Sequence, residues 1–454
     1  LDPDTTYLGQ NTPTITYTDF VDKELILFSN YANVRSIPSV VDGLKPGQRK
    51  VLWVSLKQNI RRELKVNQLA GKVSQLSAYH HGETSLAETI VGMAQTFVGS
   101  NNINLFFPSG QFGTRLHGGK DAGSSRYIYT RLNNITRTIF HKDDDQLLEY
   151  LTDEGIPIEP KYYVPVIPMV LVNGSEGIGV GWSSSVPCFN PLDIIKNIRH
   201  KIHDEEMEEM TPWYSGFIGE IKKVEGKANE EVKKWNVSGI VNVVTDEMIE
   251  ITELPIGVWT EEYKQFLENL FTGEKEKEKT AKKKKEDQKK GKAKDDDDDK
   301  GRFEPKISDL KEYHTNETVH FEIYCNQDQM DNIKSEGLDK FFRLTKSINA
   351  TNMTLFSPEG HIKQYKSAEQ IIEDFYPVRI KLYEDRKNAI LEDLDQICKR
   401  ITNQARFIKE FIEGQLELRN IPKKTILLNL RTRKFDLMDL NAKKIPKKVA
   451  DDAV

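Results

Sequence analysis

The chain has 454 residues, 37% of them hydrophobic and 30% charged, with a net charge of −5. This length exceeds what one compact core accommodates and points to roughly two to four domains. No run approaches the roughly 18–20 consecutive apolar residues of a membrane span. Cys188, Cys325 and Cys398 have no paired spacing, which argues against structural disulfides and a cysteine-based zinc site and fits a reducing compartment.

The opening "LDPDTTYLGQ" has neither the basic nor the apolar region of a signal peptide and reads like a cut inside a longer protein. Charge is unevenly spread. Val21 to Phe140 holds 15 Lys/Arg against 7 Asp/Glu, a surplus of about +8, and the remainder carries about −13. A basic N-terminal third on an acidic remainder is the footprint of a polyanion-binding domain with a scaffold. Uneven surface charge without consequence is the plainer alternative.

Residues 16–34 have helical apolar spacing and a Thr-x-x-Asp start. In "RSIPSVVDGLKPGQRKVLWVSLKQN" the pattern predicts a short apolar helix ending near Gly43 and a second helix opened by Pro46. The second carries Lys45, Arg49 and Lys50, which makes a helix-turn-helix candidate. "HHGETSLAETIVGMAQTFVG" predicts a helix capped by Ser85 and Glu88, with Leu86, Ile90, Met93 and Phe97 as one apolar stripe. From Asn101 to about Phe140 the chain turns glycine-rich and β-like, the order of a winged helix. Residues 164–187 read as buried strands joined by glycine turns, without the spacing of a dinucleotide loop. Strand-like and helical runs alternate from Asn190 to about Lys366, predicting a mixed α/β domain. Residues 273–301, rich in Lys and Asp, predict a solvated insertion with no metal site. Beyond Ser367, the residues Ile390, Leu394, Ile397, Ile401, Ile408 and Phe411, with Gln404 in the one polar slot, form a coiled-coil seam. The segment from Arg431 onward supplies no convincing returning helix.

The side chains able to do chemistry lie in the basic third: Arg35, Lys45, Arg49, His81, Arg115, Lys120, Arg126 and Tyr127. His81 lies just ahead of a helix, where partial positive charge favours an anion and a neutral imidazole, so it suits a phosphate oxygen. Adjacent His80 and His81 rarely converge on one metal ion, and a purely structural histidine is the plainest reading. A tyrosine nucleophile needs help to lose a proton whose reference pKa is near 10, and nearby arginines give it while stabilising charge on phosphorus. Tyr127 beside Arg126 fits that description. Tyr129, two residues before Arg131, fits it less tightly. If the segment is a strand, both phenols share a face, and alternation does not choose between them or exclude ordinary core aromatics.

"RSIPSVVDGLKPGQRKVL", "AYHHGETSLAETIVGMAQTFVGSNNINL", "QFGTRLHGGKDAGSSRYIYT" and "PMVLVNGSEGIGVGW" together resemble the breakage-reunion part of eukaryotic type IIA DNA topoisomerase, from about Thr14 to at least Phe411. Bacterial relatives are more distant, having a proline between the two histidines that this chain lacks. The resemblance implies an α+β multidomain fold. Residues 1–20 would be a linker after a metal-binding TOPRIM domain and 21–189 a winged-helix (CAP-like) DNA-cleavage domain. Residues 190–366 would be a mixed α/β tower domain, and 367–454 an incomplete coiled-coil region leading to a dimer exit gate.

It also implies a chemistry. Tyr127 would attack a phosphodiester of double-stranded DNA and become linked to the 5′ phosphate. Arg126, Arg35 and His81 would hold the scissile phosphate. Lys45, Arg49, Lys50, Arg115 and Lys120 would contact DNA, and Ile178 would wedge between base pairs. Mg²⁺, ATP, a homodimer and the nucleus are implied as well. The metal and nucleotide would be bound by domains outside this chain, since it lacks the Glu-Gly-Asp and Asp-x-Asp motifs of the family's TOPRIM domain. A non-catalytic DNA-binding module of the same fold is the alternative. A type IIB-like cleavage protein is weaker, because the tower and coiled coil count against it.

Overall fold

The computed structural model describes residues 11–225, 233–272 and 305–436, and the charged insertion expected at 273–301 lies outside them. Contacts divide the chain into two units, Leu1–Arg379 and Ile380–Val454.

The first unit opens with a helix whose Thr16 hydroxyl accepts from Asp19 N at 3.0 Å, as the Thr-x-x-Asp start predicts. One turn, Tyr17–Asp19, passes through a π-helical turn, Phe20–Leu25, into the helix Ile26–Ser36. The apolar helix expected before Gly43 is absent, and residues 37–44 form turns instead. Pro38 pushes Ile37 out of the helical region, to φ −99° and ψ 126°. Val40 N then bonds Phe356 O at 2.9 Å. Burial of Ile37, Val40 and Val41 holds this path in place. Gly43 closes it at φ +67°, where a Cβ would lie 2.5 Å from the backbone of Val170.

The expected helix-turn-helix is therefore displaced along the chain. Pro46–Lys57 is a helix as predicted, but the helices following it are Val66–Leu76 and Glu83–Ala94, and these two pack on each other. Glu83–Ala94 begins at Gly82 rather than Ser85. Glu83 suits the positive end of the helix, and Ser85 already lies within the first turn. Leu86, Ile90 and Met93 are buried as the stripe requires. Phe97 lies beyond the helix end, its ring edge-on to Trp259.

Strands β1 (Leu64–Lys65), β2 (Phe106–Ser109) and β3 (Tyr129–Leu132) form an antiparallel sheet in the order β1-β3-β2 and complete a winged-helix arrangement. The hairpin β4 (Tyr150–Asp153) and β5 (Ile156–Pro160) follows. Residues 164–187 are only partly the strands expected. Met169–Asn173 is a helical turn, its Met169, Val170, Leu171 and Val172 all buried, so burial on every side overrides the β propensity of two valines. A hairpin of β6 (Ser175–Ile178) and β7 (Ser183–Val186) comes after it.

The α/β region contributes β8 (Glu220–Lys223), β9 (Lys234–Ser238), β10 (Ile240–Thr245), β11 (Met248–Glu253), β12 (Asp309–Glu312), β13 (Phe321–Tyr324) and β14 (Thr345–Asn349). They form two sheets, β14-β9-β8 and β10-β11-β13-β12. Ile249, Ile251, Phe321 and Ile323 face the helices Thr260–Thr272 and Gln327–Glu336 through Tyr263, Leu267, Met330 and Ile333, a core without solvent exposure at most of its positions. Along β11 the inward register continues from Ile249 and Ile251 to Glu253, a carboxylate in an apolar slot. A further hairpin, β15 (Met353–Phe356) with β16 (Ile362–Tyr365), leads to the long helix.

That helix, Ala368–Ile412, is capped by the Ser367 hydroxyl, which accepts from Gln370 N at 3.3 Å. In the second unit Ile390, Leu394, Ile397, Ile401, Ile408 and Phe411 are 37–56% exposed. Contrary to expectation, the chain does turn back. A ten-residue helix, Lys423–Thr432, precedes Arg433, which bonds Glu410 at 3.0 Å, and Phe435, which meets the Phe407 ring edge-on. The returning helix starts at Lys423, ahead of the segment from Arg431 onward, and its contacts with the long helix come from Arg433 and Phe435 within that segment. Among the described residues no helix is long and apolar enough to cross a membrane.

Candidate nucleic-acid interface

Two clefts adjoin neighbouring faces of the helix Glu83–Ala94. Ser85, Thr89 and Gly92 line one, of about 560 Å³. Thr84, Glu88 and Val91 line the other, of about 780 Å³. The first gathers Arg35, Lys45, Lys50, His81 and Ile178. The second gathers Lys120 and Arg126.

In the first cleft, Arg35 is exposed in the last turn of the helix Ile26–Ser36. His81 Nε2 is hydrogen-bonded to the Tyr31 hydroxyl, and the Tyr79 ring lies edge-on to the imidazole at 5.4 Å. Burial, then the charges of Arg35, His80 and Lys50, hold the His81 pKa below its ordinary value, which favours the neutral ring. Lys45 donates to Glu176 O at 2.6 Å, and burial lowers its pKa against the opposing pull of Glu176. Ile178 ends β6 and is 85% exposed, although a lone isoleucine between glycines is ordinarily a core residue.

Ser125 and Arg126, just before the tyrosines in the chain, line the second cleft. Tyr127 belongs to a turn at 125–127, not to the strand, and its N bonds Ser124 O at 2.8 Å. Its side chain is 72% exposed, with the Arg126 guanidinium 5.6 Å from its ring centre. Tyr129 is the first residue of β3, paired with Lys65 and Ser109, and is 38% exposed. Arg131 stacks over Phe107 at 4.3 Å. The strand alternation that made the two phenols equivalent thus does not apply, because the strand starts after Tyr127.

The loop before Tyr127 is held at several points. Asp121 accepts from Thr114 N at 2.9 Å and from the Thr114 hydroxyl at 2.6 Å. Burial pulls the Asp121 pKa up, but the hydrogen bonds from Thr114 outweigh it and leave the carboxyl below its usual range. Arg115 bonds Glu253 of β11, donates to Leu254 O at 3.1 Å, and is 4% exposed. Arg49, 6% exposed, holds Asp42 through Nε at 2.7 Å and Nη2 at 3.1 Å. Lys50 bonds Glu159 of β5 at 2.9 Å and Ser77 O. The basic residues singled out in the sequence therefore divide. Arg35, Lys120 and Arg126 are exposed, while Arg49, Arg115 and Lys50 are tied into buried or nearly buried ion pairs.

Sequence reasoning missed Tyr31, Asn33, Asp42, Asp121 and Glu253. Asp42 in Asp-Gly and the break in apolar alternation at Glu253 were available signals. Asn33 and Tyr31 lie inside a helix and carry none. Among the described residues no three His, Cys, Asp or Glu side chains come together to hold a metal ion.

Residues 35–451 match the family of DNA gyrase/topoisomerase IV A-subunits. DNA topoisomerase 2 of Arabidopsis thaliana is 44% identical over 451 residues, 98% of this chain and 29% of that protein. DNA topoisomerase 2-alpha of Homo sapiens is 44% identical over 452 residues, 99% of this chain and 27% of that protein. The solved Plasmodium falciparum topoisomerase II DNA-binding, cleavage and re-ligation domain is 42% identical with a TM-score of 0.81, covering 95% of this chain and 54% of that one. The chain spans less than a third of the length of these curated relatives.

Proposed function

The chain belongs to the type IIA DNA topoisomerases, within the DNA gyrase/topoisomerase IV family, and on that premise we propose that it cuts and rejoins DNA through Tyr127. The Tyr127 phenolic oxygen attacks a backbone phosphorus, the P–O3′ bond breaks, and the 3′ oxygen leaves with a proton as a free hydroxyl. The phosphodiester energy is kept in the 5′-phosphotyrosyl bond, and attack by the 3′ hydroxyl reverses the step. Arg126, Arg35 and neutral His81 hold the scissile phosphate and stabilise its charge in transit. Lys45 and Lys120 support the backbone, and Ile178 wedges between base pairs and bends the duplex. Arg49, Arg115 and Lys50 we assign to the frame beneath the DNA, because their charges are already paired.

The observation that carries this reading is the contrast at 126–129: an exposed phenol on a turn beside a guanidinium, next to a phenol committed to a strand. In the full protein we propose a nuclear homodimer, each copy cutting one strand, with ATP driving passage of a second duplex. Mg²⁺ would supply Lewis-acid chemistry to such a reaction. The described residues do not bring together side chains that fit a site for it. The test is a cleavage assay on the full-length protein with Mg²⁺, trapping protein on DNA 5′ ends. Tyr127→Phe should abolish the adduct and Tyr129→Phe should retain it. An undiminished adduct with Tyr127→Phe sinks the assignment, and retained DNA affinity without any adduct in the unaltered protein favours a binding-only module.

A further inference from the structure

The turn that follows Ile178 is fastened to the helix Ile26–Ser36 by a single side chain. Asn33 is 5% exposed, and its amide satisfies both halves of the Val180 backbone. Oδ1 accepts from Val180 N at 2.8 Å, and Nδ2 donates to Val180 O at 3.2 Å. The carboxamide thus replaces the neighbouring strand that this peptide lacks. The approach is close enough to dictate the sequence around it. A Cβ on Gly179 would lie 2.0 Å from Asn33 Oδ1, and one on Gly177 would lie 2.1 Å from Ser36 O. Further bonds hold the rest of the hairpin: Lys45 to Glu176 O at 2.6 Å, Ser185 N to Asn352 O at 2.8 Å, and Asn352 to the hydroxyl of Ser183, the strand partner of Ile178, at 2.8 Å.

These contacts have a direction. Asn33 lies two residues before Arg35 and two after Tyr31, the partner of His81. One helix end therefore carries a guanidinium, orients the imidazole, and grips the turn beyond the exposed isoleucine. Ile178, Arg35 and His81 line one cleft, so the grip on Val180 bears on how Ile178 lies relative to them.

We infer that Asn33 is a positioning residue for DNA bending, holding Ile178 in register with Arg35 and His81 so that wedge insertion and seating of the phosphate occur together. The inference rests on the reading of Ile178 as the wedge. Its loss should leave backbone contacts in place while the bend becomes small or variable, because the energy for deforming the duplex comes from contacts made only when wedge and cations are aligned.

The experiment measures the bend of a short end-labelled duplex by energy transfer, with DNA affinity and melting temperature, on full-length protein. Ile178→Ala should lose the bend. Asn33→Ala should lose most of it with affinity changed by less than about threefold, under 1 kcal/mol. The double variant should be no worse than Ile178→Ala alone, since Asn33 acts through Ile178. If Ile178→Ala keeps the bend, the wedge reading fails and takes this inference with it. If Ile178→Ala loses the bend and Asn33→Ala keeps it, the wedge stands and the inference alone is overturned. Additive losses in the double variant overturn it too. Should Asn33→Ala lower the melting temperature, the bend is measured well below the lowered midpoint, and Gly179→Ala, whose methyl displaces the Asn33 amide without removing it, repeats the measurement under the same condition. A full bend with Gly179→Ala is likewise contrary to the inference.

Discussion

The two clefts beside the helix Glu83–Ala94 are built from opposite materials. On the tyrosine side, the loop leading to Tyr127 is tied by charge, with Arg115 reaching Glu253 in the α/β sheet and Thr114 holding the carboxylate of Asp121. On the wedge side, the hairpin bearing Ile178 is tied by the neutral Asn33 amide, by the Lys45 ammonium on the Glu176 carbonyl, and by glycines that let backbones approach. A buried ion pair is costly to break from one side, because the surviving charge is stranded in a low-dielectric interior. A neutral clamp fails more gently, losing one or two hydrogen bonds. We read the first as a fixed mount for a nucleophile and the second as a joint whose register matters more than its strength.

The largest effect should follow from breaking the charged mount. Arg115→Met leaves the buried Glu253 carboxylate without its cation, with the N–H groups of Ile218 and Leu254 still donating to it, and should cost about 3–5 kcal/mol in denaturant unfolding. Replacing both partners, Arg115→Met with Glu253→Leu, should recover part of that, because no charge is left unpaired, while the N–H groups of Ile218 and Leu254 lose their acceptor. Loss of under about 1 kcal/mol in the single variant would mean that this pair behaves like a surface bridge and that the loop hangs elsewhere.

The same contrast explains what could be read from the sequence. The helix Pro46–Lys57, the mixed α/β region and the long helix were legible because periodicity and turn residues report them locally, whereas the helix-turn-helix was assigned to the wrong pair. The helix expected before Gly43 was not, because Pro38 and a bond to Phe356 some 300 residues away decide that segment. The helix Met169–Asn173 was hidden for a related reason, since burial rather than propensity decides it. Arg49 and Arg115 read as surface cations because their partners, Asp42 and Glu253, mean nothing until the chain is folded. Exposure of Ile178 was invisible to any pattern of burial, and only the resemblance singled it out. Tyr127 and Tyr129 looked equivalent because β3 begins at Tyr129 and leaves Tyr127 outside it, a boundary too fine for alternation to place.

A smaller effect tests the neutral side. Gly179→Ala inserts a methyl where Asn33 Oδ1 lies 2.0 Å away. Overpacking of this kind costs about 1–3 kcal/mol, less than stranding a charge, and the same unfolding measurement should rank it below Arg115→Met. If Gly179→Ala proves the more damaging, the hairpin is as rigid as the charged mount and the distinction between the two sides collapses.

The smallest effect is electrostatic and lies within the first cleft. Burial and the charges of Arg35, His80 and Lys50 depress the His81 pKa below its ordinary value of 6.5. Because the folded protein favours the neutral ring, the unfolded chain binds more protons just below that pH. The contribution of His81 to stability is therefore fully present above about 6.5 and is lost as pH falls toward the lower folded value. At neutral pH the ring is uncharged, with one nitrogen engaged by Tyr31 and the other able to donate to an anion. Arg35→Gln removes one of the depressing charges, so the His81 titration, followed by NMR of its ring signals, should move upward toward 6.5. It should not pass that value, because burial still disfavours imidazolium. DNA binding should then lose the Arg35 contact but become steeper between pH 6 and 7, roughly the range in which histidine titrates. A His81 titration that stays in place after Arg35→Gln would separate the two residues electrostatically and leave the helix that carries Tyr31, Asn33 and Arg35 as what joins them.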